Sequence, residues 1–104
     1  MSKRLLKLQA LVENGAQDPF VFYGLAMEYR SLERWDDALE TFTRLRAEHP
    51  EYLPMYLICG QLLETRGDAA GAREWLEQGL AIATRTGDSK ARHEIAEALD
   101  ALIG

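Results

Sequence analysis

Shifted against itself by 34 residues, the middle of this 104-residue chain matches position by position. Phe22 falls on Tyr56, Leu25 on Cys59, Ala26 on Gly60, Tyr29 on Leu63, Ala38 on Ala72, Glu40 on Glu74, Phe42 on Leu76 and Ala47 on Ala81, so large meets large and small meets small. A fixed period of this length marks a repeat architecture, in which one supersecondary unit buries its apolar face by stacking on the next. Within the periods, apolar residues step by three and four. Leu5, Leu8, Leu11 and Val12, then Phe22, Leu25, Ala26 and Tyr29, then Ala38, Leu39, Phe42 and Leu45 trace helical stripes. No segment alternates as a half-buried strand would. The small residues have a packing role: Ala26 and Gly60 let helix backbones approach, while Phe22, Tyr29 and Phe42 fill the space beside that contact.

The punctuation agrees with helices throughout. Asp18-Pro19 places a capping carboxylate before a proline at a first helical position, His49-Pro50 closes a helix, and Gly67-Asp68 and Gly87-Asp88 form further joints. These signals predict helices at roughly 3–14, 19–32, 36–48, 53–66, 69–85 and 89–103. The connections are short enough to make neighbours antiparallel. The expected fold class is all-α, with about six helices in one domain spanning residues 1–104.

Composition narrows the function classes. Seventeen acidic residues against twelve basic give a net charge of −5, with no run of five or six like charges and no basic stripe for phosphates, so nucleic acid is not an expected partner. The single cysteine, Cys59, sits in an apolar helical setting and reads as a small buried hydrophobe. The opening Lys3-Arg4 followed by leucines imitates a secretion signal, but Lys7 and Gln9 interrupt the apolar run, giving an amphipathic helix. No stretch is long enough to span a membrane, so a cytoplasmic location is expected.

Chemistry-bearing constellations are absent from the pattern. His49 and His93 fall at different helix ends, neither with a ligand set at metal spacing, and the eight glycines, Gly104 included, form no phosphate-cradling loop. Asp36 and Asp37 open a helix and suit its dipole. Arg30, Arg34, Arg44 and Arg46 are threaded with Glu28, Glu33, Glu40 and Glu48 at helical spacing, as on a solvated, salt-bridged face. No catalytic residue, cofactor or metal is expected.

At these residues the chain resembles the tetratricopeptide repeat, a helix-turn-helix unit marked by an early aromatic, Leu-Gly or Leu-Ala, a second aromatic, a central Ala, a third aromatic and a closing Pro. Residues 19–52 carry Phe22, Leu25-Ala26, Tyr29, Trp35, Ala38, Phe42 and Pro50 at matching positions. Residues 53–86 carry Tyr56, Cys59-Gly60, Leu63, Gly67-Asp68, Ala72 and Leu76, with Gly79 at a place where a small or apolar residue is usual. Thr84 replaces the closing proline, so the last helix of that unit is expected to run on by a turn. Residues 3–18 resemble the second half of a preceding unit, with Leu8 and Leu11 at core positions. Residues 88–103 suit a capping helix, with Ala91, Ile95, Ala98 and Leu102 inward.

The resemblance implies a short right-handed solenoid that binds other proteins in a concave groove. It implies inward positions at Phe20, Tyr23, Met27, Arg30 and Ser31, then at Pro54, Leu57, Gln61, Glu64 and Thr65. Helix 19–32 is apolar on nearly every side. Phe22, Leu25, Ala26 and Tyr29 already satisfy a core, leaving Phe20, Val21, Tyr23 and Met27 over. Either an adjacent segment covers this surplus, or it is a groove for a partner helix or peptide, anchored on Tyr23 and Met27 and gripped at one edge by Arg30. The expected contacts are Phe20, Tyr23, Met27, Arg30, Leu57, Gln61 and Glu64. With Tyr23, Met27 and Gln61 standing where basic or amide groups would be wanted, the face does not suit a clamp for a terminal carboxylate. The alternative is a homodimer through the same groove. Trp75 is expected to be half exposed, covering a helix joint or marking a second contact.

Overall fold

The structure, a computed structural model, describes residues 2–103; Met1 and Gly104 lie outside the described residues. Among those described there are six helices and no strand: α1 (Lys3–Glu13), α2 (Pro19–Ser31), α3 (Trp35–Glu48), α4 (Pro54–Thr65), α5 (Ala69–Thr86) and α6 (Ser89–Ile103). Helix starts are written in the side chains. Ser2 accepts a hydrogen bond from the Leu5 N–H at 3.1 Å, Asp18 from Phe20 at 2.9 Å just ahead of Pro19, Asp68 from Gly71 at 2.8 Å and Asp88 from Ala91 at 3.0 Å. Each satisfies a donor that a first helical turn leaves orphaned. α3 has no such side-chain cap, and Asp36 and Asp37 instead meet the positive end of its dipole.

Four helix ends share one geometry. After α1, α2, α4 and α5 the chain turns through a residue of positive φ: Gly15 at 88°, Glu33 at 58°, Gly67 at 86° and Gly87 at 74°. The next N–H then reaches back to a helical carbonyl, Ala16 to Leu11, Arg34 to Tyr29, Asp68 to Leu63 and Asp88 to Ala83. Glu33 and Gly67 are related by the sequence period, so the repeat in side chains is also a repeat in backbone. Glycine adopts this conformation freely; glutamate is strained in it. α5 has 18 residues against 14 in α3, the extra turn expected where no proline stops the helix.

The chain divides into two compact units, Met1–Tyr52 and Leu53–Gly104. In the first, α2 packs against both α1 and α3, and Leu5, Phe22, Leu25, Ala26, Phe42 and Leu45 are buried. In the second, α5 packs against both α4 and α6, and Tyr56, Cys59, Leu63, Leu76 and Ile95 are buried. Bare backbone permits the close contacts of the second unit. A Cβ on Gly60 would lie 2.7 Å from Leu76 Cγ, and one on Gly79 would lie 2.5 Å from Tyr56 Cβ and 3.2 Å from Ile95 Cδ1.

Two sequence expectations need correction. Leu11, expected in the core, is 41% exposed, while Leu5 is buried, because the pitch of α1 turns Leu5, Leu8 and Val12 toward α2 and carries Leu11 to the rim. Trp75 is buried rather than half exposed, its ring 5.8 Å from that of Tyr56 and tilted by 50°. It fills the joint between α4 and α5.

Two substitutions test this account by urea denaturation. Glu33→Gly relieves a left-handed glutamate, and after the added entropy cost of glycine it is expected to stabilise the chain by about 0.5–1 kcal/mol; a loss of stability would refute the strain. Gly79→Ala presses a methyl onto a Cβ that the backbone of α4 holds in place, and is expected to destabilise by about 1–3 kcal/mol despite alanine's better helix propensity. A neutral or stabilising result would show that the α4–α5 approach is looser than described.

Candidate functional site

At 100° per residue, α2 has four sides, and neighbours in its own unit occupy most of them. Toward α1 it presents Gly24, where a Cβ would lie 3.6 Å from both Leu8 and Arg4, and Glu28, which accepts from the Ser2 hydroxyl at 2.9 Å and pairs with Arg4 at 3.3 Å. Toward the core it buries Phe22, Leu25 and Ala26. What remains is a stripe at spacings of three, four and three: Phe20, Tyr23, Met27 and Arg30. Phe20 is 66% exposed and the other three are half-buried. α1 does not cover this face.

Tyr23 is only partly free. Its ring stands edge-on to the buried Phe42 at 6.4 Å between centroids and lies 5.4 Å from the ring of Tyr52, which follows the turn that ends α3. An adjacent segment thus takes up part of the apolar surplus. Sequence reasoning did not single out Tyr52; the available signal was an aromatic two residues beyond the helix-closing His49-Pro50. Burial pushes the Tyr23 phenol above its ordinary value of 10, against the opposing pull of the Arg30 guanidinium. Burial likewise raises Tyr52, aided by the nearby Tyr23 and Asp18. Arg30 also supplies the cation of α2's last turn.

In the second unit, Leu57, Gln61 and Glu64 share the side of α4 opposite its buried Met55, Cys59, Leu62 and Leu63. Leu57 is half-buried, and Gln61 and Glu64 are exposed. This face is polar apart from its leucine. The apolar surplus therefore belongs to α2, where Phe20 is the open hydrophobe and Met27 its half-buried neighbour.

The other charged residues fall elsewhere. Arg34 pairs with Asp37 at 2.9 Å and lies 4.7 Å above the Tyr29 ring, and Arg44 pairs with Glu48 at 2.9 Å and lies 5.0 Å above Phe22. Of the acids threaded through this basic region, Glu48 pairs with Arg44 while Glu28 pairs with Arg4 of α1, and Arg34 takes Asp37. His93 Nε2 meets Glu97 at 2.9 Å on the exposed side of α6. His49 lies beside Phe22, its ring 6.4 Å away, and its Nε2 is buried without a hydrogen bond. Among the described residues no three His, Cys, Asp or Glu side chains are grouped to hold a metal, and no helix is long and apolar enough to cross a membrane.

The family profile described as "Tetratricopeptide repeat" matches residues 29–92. A TPR repeat-containing protein of Pseudomonas aeruginosa is 31% identical over 88 residues, which cover 85% of this chain and 84% of that protein. The crystal structure of a tetratricopeptide repeat domain protein from Salinibacter ruber superposes with a TM-score of 0.78 at 30% identity, over 84% of this chain and 97% of that one. PcrH of Pseudomonas aeruginosa, solved in complex with the chaperone binding region of PopD, gives a TM-score of 0.87 at 19% identity, over 95% of this chain and 75% of PcrH. That last likeness is one of fold.

The tyrosine pair generates a titration experiment. Both phenols are neutral at low pH and have raised folded values, so their contribution to stability is intact below pH 10 and is lost as pH rises through the folded values. Followed by tyrosinate absorbance, Tyr23→Phe is expected to bring the Tyr52 midpoint down toward 10, since Tyr23 is one of the groups holding it up. An unmoved Tyr52 midpoint would mean that the two rings do not meet in solution.

Proposed function

This chain belongs to the tetratricopeptide repeat family, and from that premise we propose that it is a non-catalytic cytoplasmic interaction module holding a helix or extended peptide of a protein partner. Its parts on this reading are a half-repeat 3–18, repeats 19–52 and 53–86, and a capping helix 88–103. The contacts are Phe20, Tyr23, Met27 and Arg30 on α2 and Leu57, Gln61 and Glu64 on α4. One observation carries the proposal: Phe20 is 66% exposed on a helix whose other sides are already packed. A large aromatic held in water on a rigid helix contributes little to the monomer and much to an interface, where aromatic anchors supply most of the binding energy. PcrH, which shares the fold, is known in complex with a segment of PopD.

Tyr23 is a poor place to test this, because its ring also supports Phe42. Phe20 is the clean probe. A photo-reactive phenylalanine analogue at position 20 is expected to cross-link one defined protein partner in the producing cells, whereas the same group at Arg92 on α6 does not. Phe20→Glu is expected to abolish capture without lowering the melting temperature. Light scattering over a tenfold or larger concentration range separates the competing reading: a wild-type dimer that Phe20→Glu dissolves would show that the face is filled by a second copy. A monomer whose position 20 cross-links nothing would overturn the proposal.

A further inference from the structure

Counted by the same 34 residues, α1 falls on α3 and α3 on α5. Where α3 packs on α2 and α5 on α4, one register is buried in both: Ala38, Thr41, Phe42 and Leu45 in α3, then Ala72, Trp75, Leu76 and Gly79 in α5. The residues of α1 in that register are Arg4, Lys7, Leu8 and Leu11. Leu8 is half-buried and the other three are exposed. α1 meets α2 through Leu5, Leu8 and Val12, the next stripe round the helix. The face that receives a helix in each complete unit is therefore open on α1.

That face is both apolar and basic. At 100° per residue, Lys3, Lys7 and Ala10 form a ridge on the side of α1 away from Leu5, with Leu6 on one flank and Arg4 and Leu11 on the other, all of them exposed. The exposed large hydrophobics among the described residues are Leu6, Leu11, Phe20 and Leu32, and the first two stand here. Arg4 pairs with Glu28 of α2 at 3.3 Å with its side chain still 65% exposed. Lys3 and Lys7 have no ion-pair partner among the described residues. In a chain of net charge −5, α1 sets these three cations against Glu13 alone. An end of a repeat array needs a polar outer face to stay soluble. α6 has one, with Lys90, Arg92, Glu94 and Glu97 of mixed sign and no exposed large hydrophobic among the described residues. Solubility therefore does not account for leucines flanking unpaired lysines on α1.

We propose that the outer face of α1 is a docking surface for an acidic amphipathic helix of a partner protein, its carboxylates meeting Lys3, Arg4 and Lys7 and its apolar side chains lying on Leu6, Ala10 and Leu11. Charge complementarity sets the sign of the partner. The register sets its shape, since a helix fills the same face of α3 and of α5. An anionic membrane is a poorer match, because the apolar stripe of α1 that could enter lipid is already packed on α2 and the acidic remainder of the chain is repelled. The face shares no residue with the Phe20–Arg30 stripe and does not depend on that stripe being a groove.

The test is amide-shift NMR on the whole chain with a helical peptide repeating Glu-Ala-Ala-Leu, which sets acids and leucines in adjacent stripes, and with its Gln-Ala-Ala-Leu and Lys-Ala-Ala-Leu counterparts. The acidic peptide is expected to shift the amides of Lys7, Ala10 and Leu11, to leave Lys90 and Arg92 on α6 unmoved, and to bind about tenfold more tightly than the glutamine peptide. Lys3→Glu/Lys7→Glu is expected to exchange the preference, losing the acidic peptide and gaining the lysine one. Its melting temperature is expected to be unchanged, because both positions are exposed and an acid in a first helical turn suits the dipole. Leu6→Ser/Leu11→Ser is expected to weaken the acidic peptide about tenfold. Equal binding of the acidic and glutamine peptides would overturn the proposal, as would shifts of equal size on α6, or a charge variant that keeps the original preference, or a serine variant that binds undiminished. Wild-type protein sedimenting with vesicles of equal phosphatidylserine and phosphatidylcholine, and released by the charge variant, would overturn it in favour of a membrane. Shifts at Lys7 and Leu11 that grow with protein concentration alone would overturn it in favour of a second copy. None of these readouts involves Phe20, so failure here leaves the proposed function standing, and the converse holds.

Discussion

Helices α4 and α5 lie together only because Gly60 and Gly79 carry no side chain at the points of nearest approach. Once those two backbones close, Tyr56, Trp75 and Leu76 must share the remaining volume, and all three are buried. In the first unit Ala26 takes the place of Gly60 and Phe42 that of Leu76, so the same arrangement recurs with a slightly larger small residue and a larger big one. Interiors packed to crystal-like density allow such exchanges only in compensating pairs. The register of the helices, and with it which residues are left facing water, follows from this contact.

For α2 the consequence is an imbalance. The helix has more apolar residues than one core face can use, since α1 and α3 close on different flanks and Gly24 admits Leu8 and Arg4 from one of them. The surplus is dealt with unevenly. Tyr23 is drawn against Phe42 and Tyr52, while Phe20, at the first turn, has no such cover. An interaction module needs side chains that folding does not consume, on an element that folding holds rigid, and the start of α2 meets both conditions.

A small hollow between α1 and α3, on the other side of α2, arises from the same spacing. α1 and α3 both pack on α2, and the hollow between them is bounded by Val12, Tyr29, Thr41 and Arg44 above the buried Phe22 and Leu25. Arg44 lies over the buried Phe22 and Arg34 over Tyr29, each neutralised by an acid on its own helix or turn.

Most of the architecture was legible in the sequence. Helix bounds read from the periodicity and from Asp-Pro, His-Pro and Gly-Asp joints agree with the structure to within a residue or so, because caps, turns and apolar stripes act over neighbouring residues. The 34-residue period extends to the backbone, where Glu33 and Gly67 make the same left-handed turn. The candidate faces were legible only as spacings. Phe20, Tyr23, Met27 and Arg30 had to share a side of α2, but which of them would stay open was not written there. That Leu5 rather than Leu11 is buried, that Trp75 belongs to the core, and that Tyr52 shields Tyr23 were settled by the tertiary structure. The sequence determined the helices, their ends and their repeat, all of which depend on residues a turn or less apart; only the folded chain decided exposure, because exposure depends on neighbours that are far away along the chain.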